Sequence, residues 1–220
     1  MGATLHPTRT FRLPLPLPSV TASTAPYAAP RAAPTHRILG ALGMLGSPVF
    51  LVQWLFLATP DGRPAETPLG TYMDLAYLAG WMCSTVAIRA MRATGRRRGA
   101  AVLFALQVVG LLLAAGQEIQ DLMQRRPFGD AFYGVTDFSW PLSHLLMIAV
   151  GVAVLRANVW TGWRRWAPLA CGMALPIGLA SGAAFGQPAL MATFGIGTAA
   201  AFFALGLAVW SAPEVEQPLD

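Results

Sequence analysis

The run DFSWPLSHLLMIAVGVAVL, from Asp137 to Leu155, is apolar over a length that could cross a lipid bilayer, and it contains a histidine, His144. Ionisable side chains are costly in lipid, and within membrane helices they usually face the interior of a bundle or a water-filled cavity. The stretch therefore predicts a helix that packs against other helices and turns a polar surface inward.

The whole chain shares this apolar character. Of its 220 residues, 55% are hydrophobic and 11% are charged, and the mean hydropathy is +0.52. A soluble domain carries about 25% charged residues, so this chain has too few charges for a solvated surface. The predicted fold class is an all-α integral membrane protein. Its sequence pI of about 10 does not indicate a nucleic-acid partner, because the arginines lie between apolar segments, where membrane topology requires them.

Six apolar segments each approach the roughly 20 residues that a bilayer-spanning helix needs. They cover approximately residues 38–58, 70–90, 100–120, 139–156, 167–186 and 189–210. The sequence thus predicts a six-transmembrane-helix bundle over residues 38–210. Residues 1–37 are rich in proline and alanine and predict a disordered tail, because proline removes a backbone donor and breaks helices. Residues 211–220 form a short acidic tail.

The arginines predict the orientation of the bundle. If the N-terminus is cytoplasmic, four arginines precede the first segment. Five lie at the end of the second segment or between it and the third, and three lie at the end of the fourth or between it and the fifth, which places twelve inside and three outside. Positive charge is concentrated in cytoplasmic loops. The sequence therefore predicts a multi-pass protein of the inner membrane with both termini in the cytoplasm, and the lipid bilayer is its expected partner.

Polar residues of several segments share one predicted depth. At 1.5 Å per residue, Gln53, Asp74, Glu118 and His144 all lie within about 3–8 Å of the outer boundary. The third segment adds polar residues at helical spacing. We therefore expect an outward-facing polar pocket in which His144 pairs with Glu118 or Asp74. The candidate pocket residues are Gln53, Asp74, Gln117, Glu118, Asp121 and His144.

Each of these residues also has an ordinary structural interpretation. His144 could hydrogen-bond a carbonyl near a helix start, and Glu118 and Asp121 could form the solvated end of a helix. Asp74, in a first helical turn, could be an anion that the helix dipole favours. The coincidence of their depths favours a shared pocket.

Three classes of function remain open for such a pocket. The first is the binding or transport of a small molecule or cation, a use to which intramembrane acidic groups are often put. The second is a membrane-embedded enzyme, with or without a metal, for which Asp74, Glu118 and His144 are candidate ligands of mixed N and O type, although no HxxE or HExxH spacing occurs. The third is a structural or partner-binding bundle. The sequence identifies no cofactor, and a single intramembrane histidine disfavours haem.

A nucleophilic site is suggested by the stretch GLASGAAFG at residues 178–186. It resembles the serine-bearing segment of rhomboid intramembrane proteases, with Ser181 in the nucleophile's position, and HLLMIAVGVAVL at 144–155 is loosely similar to the rhomboid segment that begins with histidine. The resemblance covers about a tenth of the chain. Rhomboids need a histidine on a later helix, and no histidine follows His144, so the sequence departs from the pattern at the catalytic base.

Small residues predict close helix packing. Gly178, Gly182 and Gly186 recur at four-residue spacing, which lets backbones approach one another. Pro48 and Pro176 are expected to kink their segments. Cys83 and Cys171 lie inside apolar segments and are expected to be small core residues.

Overall fold

A computed structural model describes residues 34–57, 67–124 and 127–212, and the regular secondary structure within these ranges is helical. A 3₁₀ helix spans Gly162–Trp166. The α-helices are α1 (Pro34–Gly46), α2 (Val49–Leu57), α3 (Pro68–Ala90), α4 (Arg98–Leu122), α5 (Gly129–Ala157), α6 (Ala167–Phe185) and α7 (Gln187–Trp210).

Five helical stretches in the described ranges are long and apolar enough to cross a membrane. They are Thr35–Leu57, Arg98–Leu122, Gly129–Ala157, Gly162–Phe185 and Gln187–Trp210. The all-helical prediction is confirmed for the described residues, and these helices are consistent with a multi-pass membrane protein.

Helix α3 is the remaining long helix, and it differs from the other five in composition. Its 23 residues correspond to about 34 Å at 1.5 Å per residue. It packs against α1, α2, α4 and α7. Ser84 and Thr85, which lower its hydropathy, are buried in the bundle. These two polar residues of α3 are thus turned toward the protein interior.

The helices differ from the predicted segments in three places. The first predicted segment consists of α1 and α2, which are separated at Ser47 and Pro48, where the Ser47 hydroxyl donates to the carbonyl of Met44 at 2.7 Å. Helix α5 begins at Gly129, ten residues before the predicted start at residue 139. Helix α1 begins at Pro34, inside the predicted tail of residues 1–37. The rest of that tail and residues 213–220 lie outside the described residues.

Glycines allow the closest helix contacts. A Cβ atom on Gly40 would lie 2.7 Å from the carbonyl oxygen of Gly206, so α1 and α7 meet backbone to backbone. A Cβ on Gly182 would lie 2.7 Å from the Cβ of Leu190, and one on Gly178 would lie 3.0 Å from the Cβ of Phe194. These two glycines thus form the predicted contact ridge of α6 against α7.

Gly186 has a different role from the other two ridge glycines. Its φ of +89° lies in a region that L side chains rarely adopt, and its N–H donates to the carbonyl of Gly182 at 2.8 Å. Gly186 therefore ends α6 and turns the chain directly into α7.

Candidate functional site

A cavity of about 570 Å³ lies at the end of the bundle where α2 and α4 end and α3 and α5 begin. Among the described residues, no arginine lines it. Its carboxylates are Asp74, Glu118, Asp121 and Asp137, and its uncharged polar side chains include Gln53, Gln117, Gln124 and Tyr133. The described lining is therefore strongly acidic.

One side of the cavity is held by a buried amide. Gln53 is 1% exposed, and its Nε2 donates to Oδ1 of Asp74 at 2.9 Å and to the carbonyl of Gly70 at 3.0 Å. Thr67 caps the start of α3, because its Oγ1 accepts a hydrogen bond from the N–H of Gly70 at 3.1 Å. The carboxylate of Asp74 is thus fixed to a well-anchored helix start by a donor from α2.

The opposite side is a polar contact between α4 and α5. The Gln117 amide donates to Asp121, one turn away on α4. The Tyr133 hydroxyl donates to Oδ1 of Asp121 at 2.9 Å. In the same contact, Nε2 of Gln120 donates to Oγ1 of Thr136 at 3.2 Å. These bonds hold α4 and α5 in one register.

Glu118 lies between the two sides and is half-buried. It makes no hydrogen bond or ion pair with any residue that the structure describes, although it interacts electrostatically with Asp74, Asp121 and Asp137. A half-buried carboxylate among other carboxylates, without a donor, is energetically unfavourable. The cavity therefore presents a carboxyl group that has no partner among the described residues.

A second cavity of about 410 Å³ adjoins the first. The two share Asp74, Gln117, Glu118 and Asp137. Aromatic side chains form much of the remaining wall, namely Phe50, Tyr77, Phe138 and Trp140. The acidic cavity thus continues into a space with aromatic walls.

His144 does not line either cavity, and the expected pairing with Glu118 or Asp74 is wrong. The side chain is fully buried, and its Nδ1 lies 3.4 Å from the carbonyl oxygen of Cys171. Aromatic rings surround it at centroid distances of 4.7–6.0 Å, and they belong to Trp81, Trp140, Phe194 and Phe202.

The early start of α5 explains this difference. Since α5 begins at Gly129, His144 lies fifteen residues, or about 22 Å, from the helix start rather than in its second turn. Along α4, the Ser143 hydroxyl approaches the position of Gly110. Gly110 lies eight residues from Glu118, so His144 is about 12 Å deeper than Glu118.

The candidate metal ligands are not assembled into a centre. Within the described ranges, no group of three or more His, Cys, Asp or Glu side chains is placed to hold a metal ion. Asp74 and Glu118 line the cavity, whereas His144 lies below it in the aromatic cluster. A site built from Asp74, Glu118 and His144 therefore does not fit this arrangement.

The hydroxyl of Ser181 bonds to groups on α7. Its hydroxyl lies 2.9 Å from the hydroxyl of Thr193 and donates to the carbonyl of Ala189 at 3.3 Å. Both partners are on α7, so these bonds tie the hairpin of α6 and α7. The ring of His144 instead contacts the carbonyl of Cys171, so it does not act as a base for Ser181 in this structure.

Sequence reasoning missed Tyr133 and the aromatic wall of the second cavity. Tyr133 lies on the part of α5 that precedes the predicted segment, where the run is too polar to be taken for a membrane helix. The helical spacing of Tyr133, Thr136 and Asp137 is the signal that could have extended α5. No comparable signal in the sequence assigns Phe50 and Trp140 to one wall.

Comparison of the chain with protein-family models, curated proteins and solved structures finds no match. The class of protein therefore rests on the helices and on the cavity. The helices are consistent with a multi-pass membrane protein, and the cavity is lined by four carboxyl groups among the described residues.

Proposed function

We propose that this chain is a six-span inner-membrane protein with the acidic cavity on its outer side. The cavity binds a small organic cation, which the protein can transport. The observation that carries the proposal is Glu118, a half-buried carboxylate without a donor among the described residues, in a cavity with three further carboxylates.

The length and packing of α3 support six spans. Its approximately 34 Å exceed the roughly 30 Å hydrocarbon thickness of a bilayer. If α3 crosses the membrane, the arginine distribution of twelve inside and three outside follows with both termini in the cytoplasm, and the acidic cavity opens to the outer side.

The chemistry of the two cavities supports an organic cation over a metal ion. The carboxylates do not form a group that could hold a metal, so a ligand with a more extended positive group fits them better. A volume of about 570 Å³ lies within the roughly 300–1,000 Å³ that small-molecule sites occupy. Aromatic rings such as Phe138 and Trp140 can bind the apolar part of an ammonium ligand and add cation–π attraction.

The proposal is tested by ligand-dependent stability of the purified protein in mild detergent. Tetraethylammonium chloride, in excess over its dissociation constant, should raise the unfolding temperature. At a concentration about 100 times that constant, binding adds roughly 2.7 kcal/mol to the free energy of unfolding. Sodium chloride and magnesium chloride at matched ionic strength should not do so.

Variants connect such an effect to the cavity. Asp74→Asn and Glu118→Gln should each weaken the stabilisation by tetraethylammonium, whereas Glu214→Gln, which removes a carboxylate from the C-terminal tail, should retain it. Equal stabilisation by magnesium, or an undiminished response in both cavity variants, contradicts the proposed site.

The topology has its own test. Reporter fusions after Arg98 and Arg165 should report the cytoplasm, and fusions near Arg63 and Asp130 should report the outer side. If the fusions after Arg98 and near Arg63 report the same compartment, α3 does not cross the membrane.

A further inference from the structure

Unpartnered polar atoms follow one face of α3 from the cavity toward the middle of the bundle. The face is formed by Asp74, Tyr77, Trp81 and Thr85, at spacings of three, four and four residues. Tyr77, Trp81 and Thr85 are at most 3% exposed. Three of their polar atoms have no hydrogen-bond partner among the described residues, namely the Tyr77 hydroxyl, the Trp81 Nε1 and the Thr85 Oγ1.

Two side chains on neighbouring helices add to this series. His144 on α5 and Gln107 on α4 are both fully buried. Within the described part of the chain, Nε2 of His144 and both polar atoms of the Gln107 amide also lack a partner. From the outer helix ends, Gln107 lies about 22 Å deep, between Trp81 at about 20 Å and Thr85 at about 26 Å.

These atoms form a complementary set. The Nδ1 of His144 faces the carbonyl of Cys171 at 3.4 Å, which assigns the ring proton to Nδ1 and leaves Nε2 as an acceptor. The indole Nε1 of Trp81 is solely a donor, and its ring lies 4.7 Å from that of His144 between centroids. A water between Trp81 and His144 would satisfy both atoms at once.

Internal water is the expected partner of such groups. Buried polar atoms in proteins are bonded to protein or to ordered water in the large majority of cases. Lipid offers no substitute. The series also reaches a space at each end, because Tyr77 lines the aromatic cavity and Thr85 lines a small inner cavity of about 10 Å³ beside Arg89, near the size that one water requires.

Aromatic and uncharged groups surround His144. Trp81 and Trp140 present rings at centroid distances of 4.7 and 5.0 Å, and aromatic faces attract cations. Two titratable groups are near this cluster, Cys171 on α6, whose carbonyl contacts His144, and Tyr77 on α3, whose ring contacts Trp81. Both are neutral at pH 7 by their ordinary chemistry. Helix α7 contributes the rings of Phe194 and Phe202, and on α4 the carboxylate of Glu118 lies about 12 Å above.

We propose that a file of internal water along this face of α3 connects the acidic cavity to the inner half of the bundle, with His144 as its proton relay. A hydronium on the cavity side transfers a proton to Nε2, which gives imidazolium and water. The imidazolium then returns the proton from Nε2 to a water on the inner side, so no atom or electron is gained or lost. Nδ1 keeps its proton on the Cys171 carbonyl throughout.

Proton flux into vesicles tests this relay without any organic ligand, so it is independent of the proposed cation binding. The protein is reconstituted into liposomes that contain a pH-sensitive dye, and a potassium gradient with valinomycin drives protons inward. Wild type should acidify the lumen faster than protein-free liposomes. His144→Phe should reduce the protein-dependent rate by about tenfold or more. A tenfold reduction corresponds to the free energy of losing about one hydrogen bond along the water chain.

Matched variants separate the relay from a loss of fold. Thr85→Val, which removes one hydroxyl at nearly constant shape, should also slow the flux, and His144→Gln should be as slow as His144→Phe because glutamine cannot be protonated. Leu145→Phe changes the neighbouring, 51% exposed position and should leave the rate unchanged. Wild-type flux equal to that of empty liposomes, or flux retained in both His144 variants, overturns the relay.

Discussion

Glu118 and His144 lie on neighbouring antiparallel helices, and their surroundings are opposite. Glu118 lies in an acidic cavity among carboxylates and amides, whereas His144 lies in a fully buried cluster of aromatic rings. A helical register difference of about 12 Å separates them. Polar residues in a membrane bundle thus acquire their roles from their level along the helix as much as from the face they occupy.

The aromatic cluster should dominate stability, and Trp81→Ala should have the largest effect. Trp81 is 1% exposed and contacts the rings of Tyr77, His144 and Phe202. Truncation of a buried tryptophan leaves a void and typically costs about 3–5 kcal/mol. Chemical unfolding in detergent micelles measures the loss. The matched control Trp163→Ala, at a 48% exposed position, should cost below about 1 kcal/mol, and equal losses would remove the distinction between the cluster and the surface.

The stability of the cavity region should depend on polar contacts instead, and Gln53→Leu tests this. Leucine fills a similar volume but cannot donate to Asp74, whose carboxylate would lose its bond from Nε2. A buried polar group left unpaired costs roughly 1–3 kcal/mol. The same unfolding measurement should show little change, within about 0.5 kcal/mol, for Gln124→Leu at an exposed lining position. Unchanged stability in Gln53→Leu would mean that the amide does not hold Asp74.

The smallest effect is expected for the coupling between the two regions. In a double-mutant cycle of His144→Gln and Glu118→Gln, the free energies of unfolding should add within about 0.3–0.5 kcal/mol, as for residues more than 7–10 Å apart. A coupling above about 1 kcal/mol would restore the direct pairing that the sequence predicted and would place both residues in one site.

The sequence predicts much of the fold and one part of the site, for identifiable reasons. Apolar length locates α4, α6 and α7 within a few residues, because a continuous hydrophobic run has few alternatives. The same criterion places the start of α5 too late, because residues 129–138 are mixed in polarity, although they continue the helix. This shift moves His144 from the predicted boundary to the middle of the bundle.

The depth of a polar residue is predicted correctly from the sequence where the end of its helix is also predicted well. Gln53, Asp74 and Glu118 lie four, six and four residues from the nearby ends of α2, α3 and α4, and the structure brings all three to one cavity. The rotation of each helix is set by packing, such as the contact of Gly40 with Gly206. A single sequence does not specify that rotation, so the aromatic wall was not predicted.

The most direct test of the account compares the accessibility of the two regions from outside the cell. In a background with Cys83 and Cys171 replaced by alanine, Gln117→Cys places a thiol in the cavity and Met147→Cys places one in the buried core that includes the aromatic cluster around His144. Membrane-impermeant thiosulfonates are applied to intact cells whose outer envelope admits them. Gln117→Cys should react, about tenfold faster with the cationic reagent than with the anionic one because the acidic cavity concentrates cations, while Met147→Cys stays unmodified. Reaction of Gln117→Cys solely after the cells are opened, or equal rates with both reagents, would contradict an outward-facing acidic cavity.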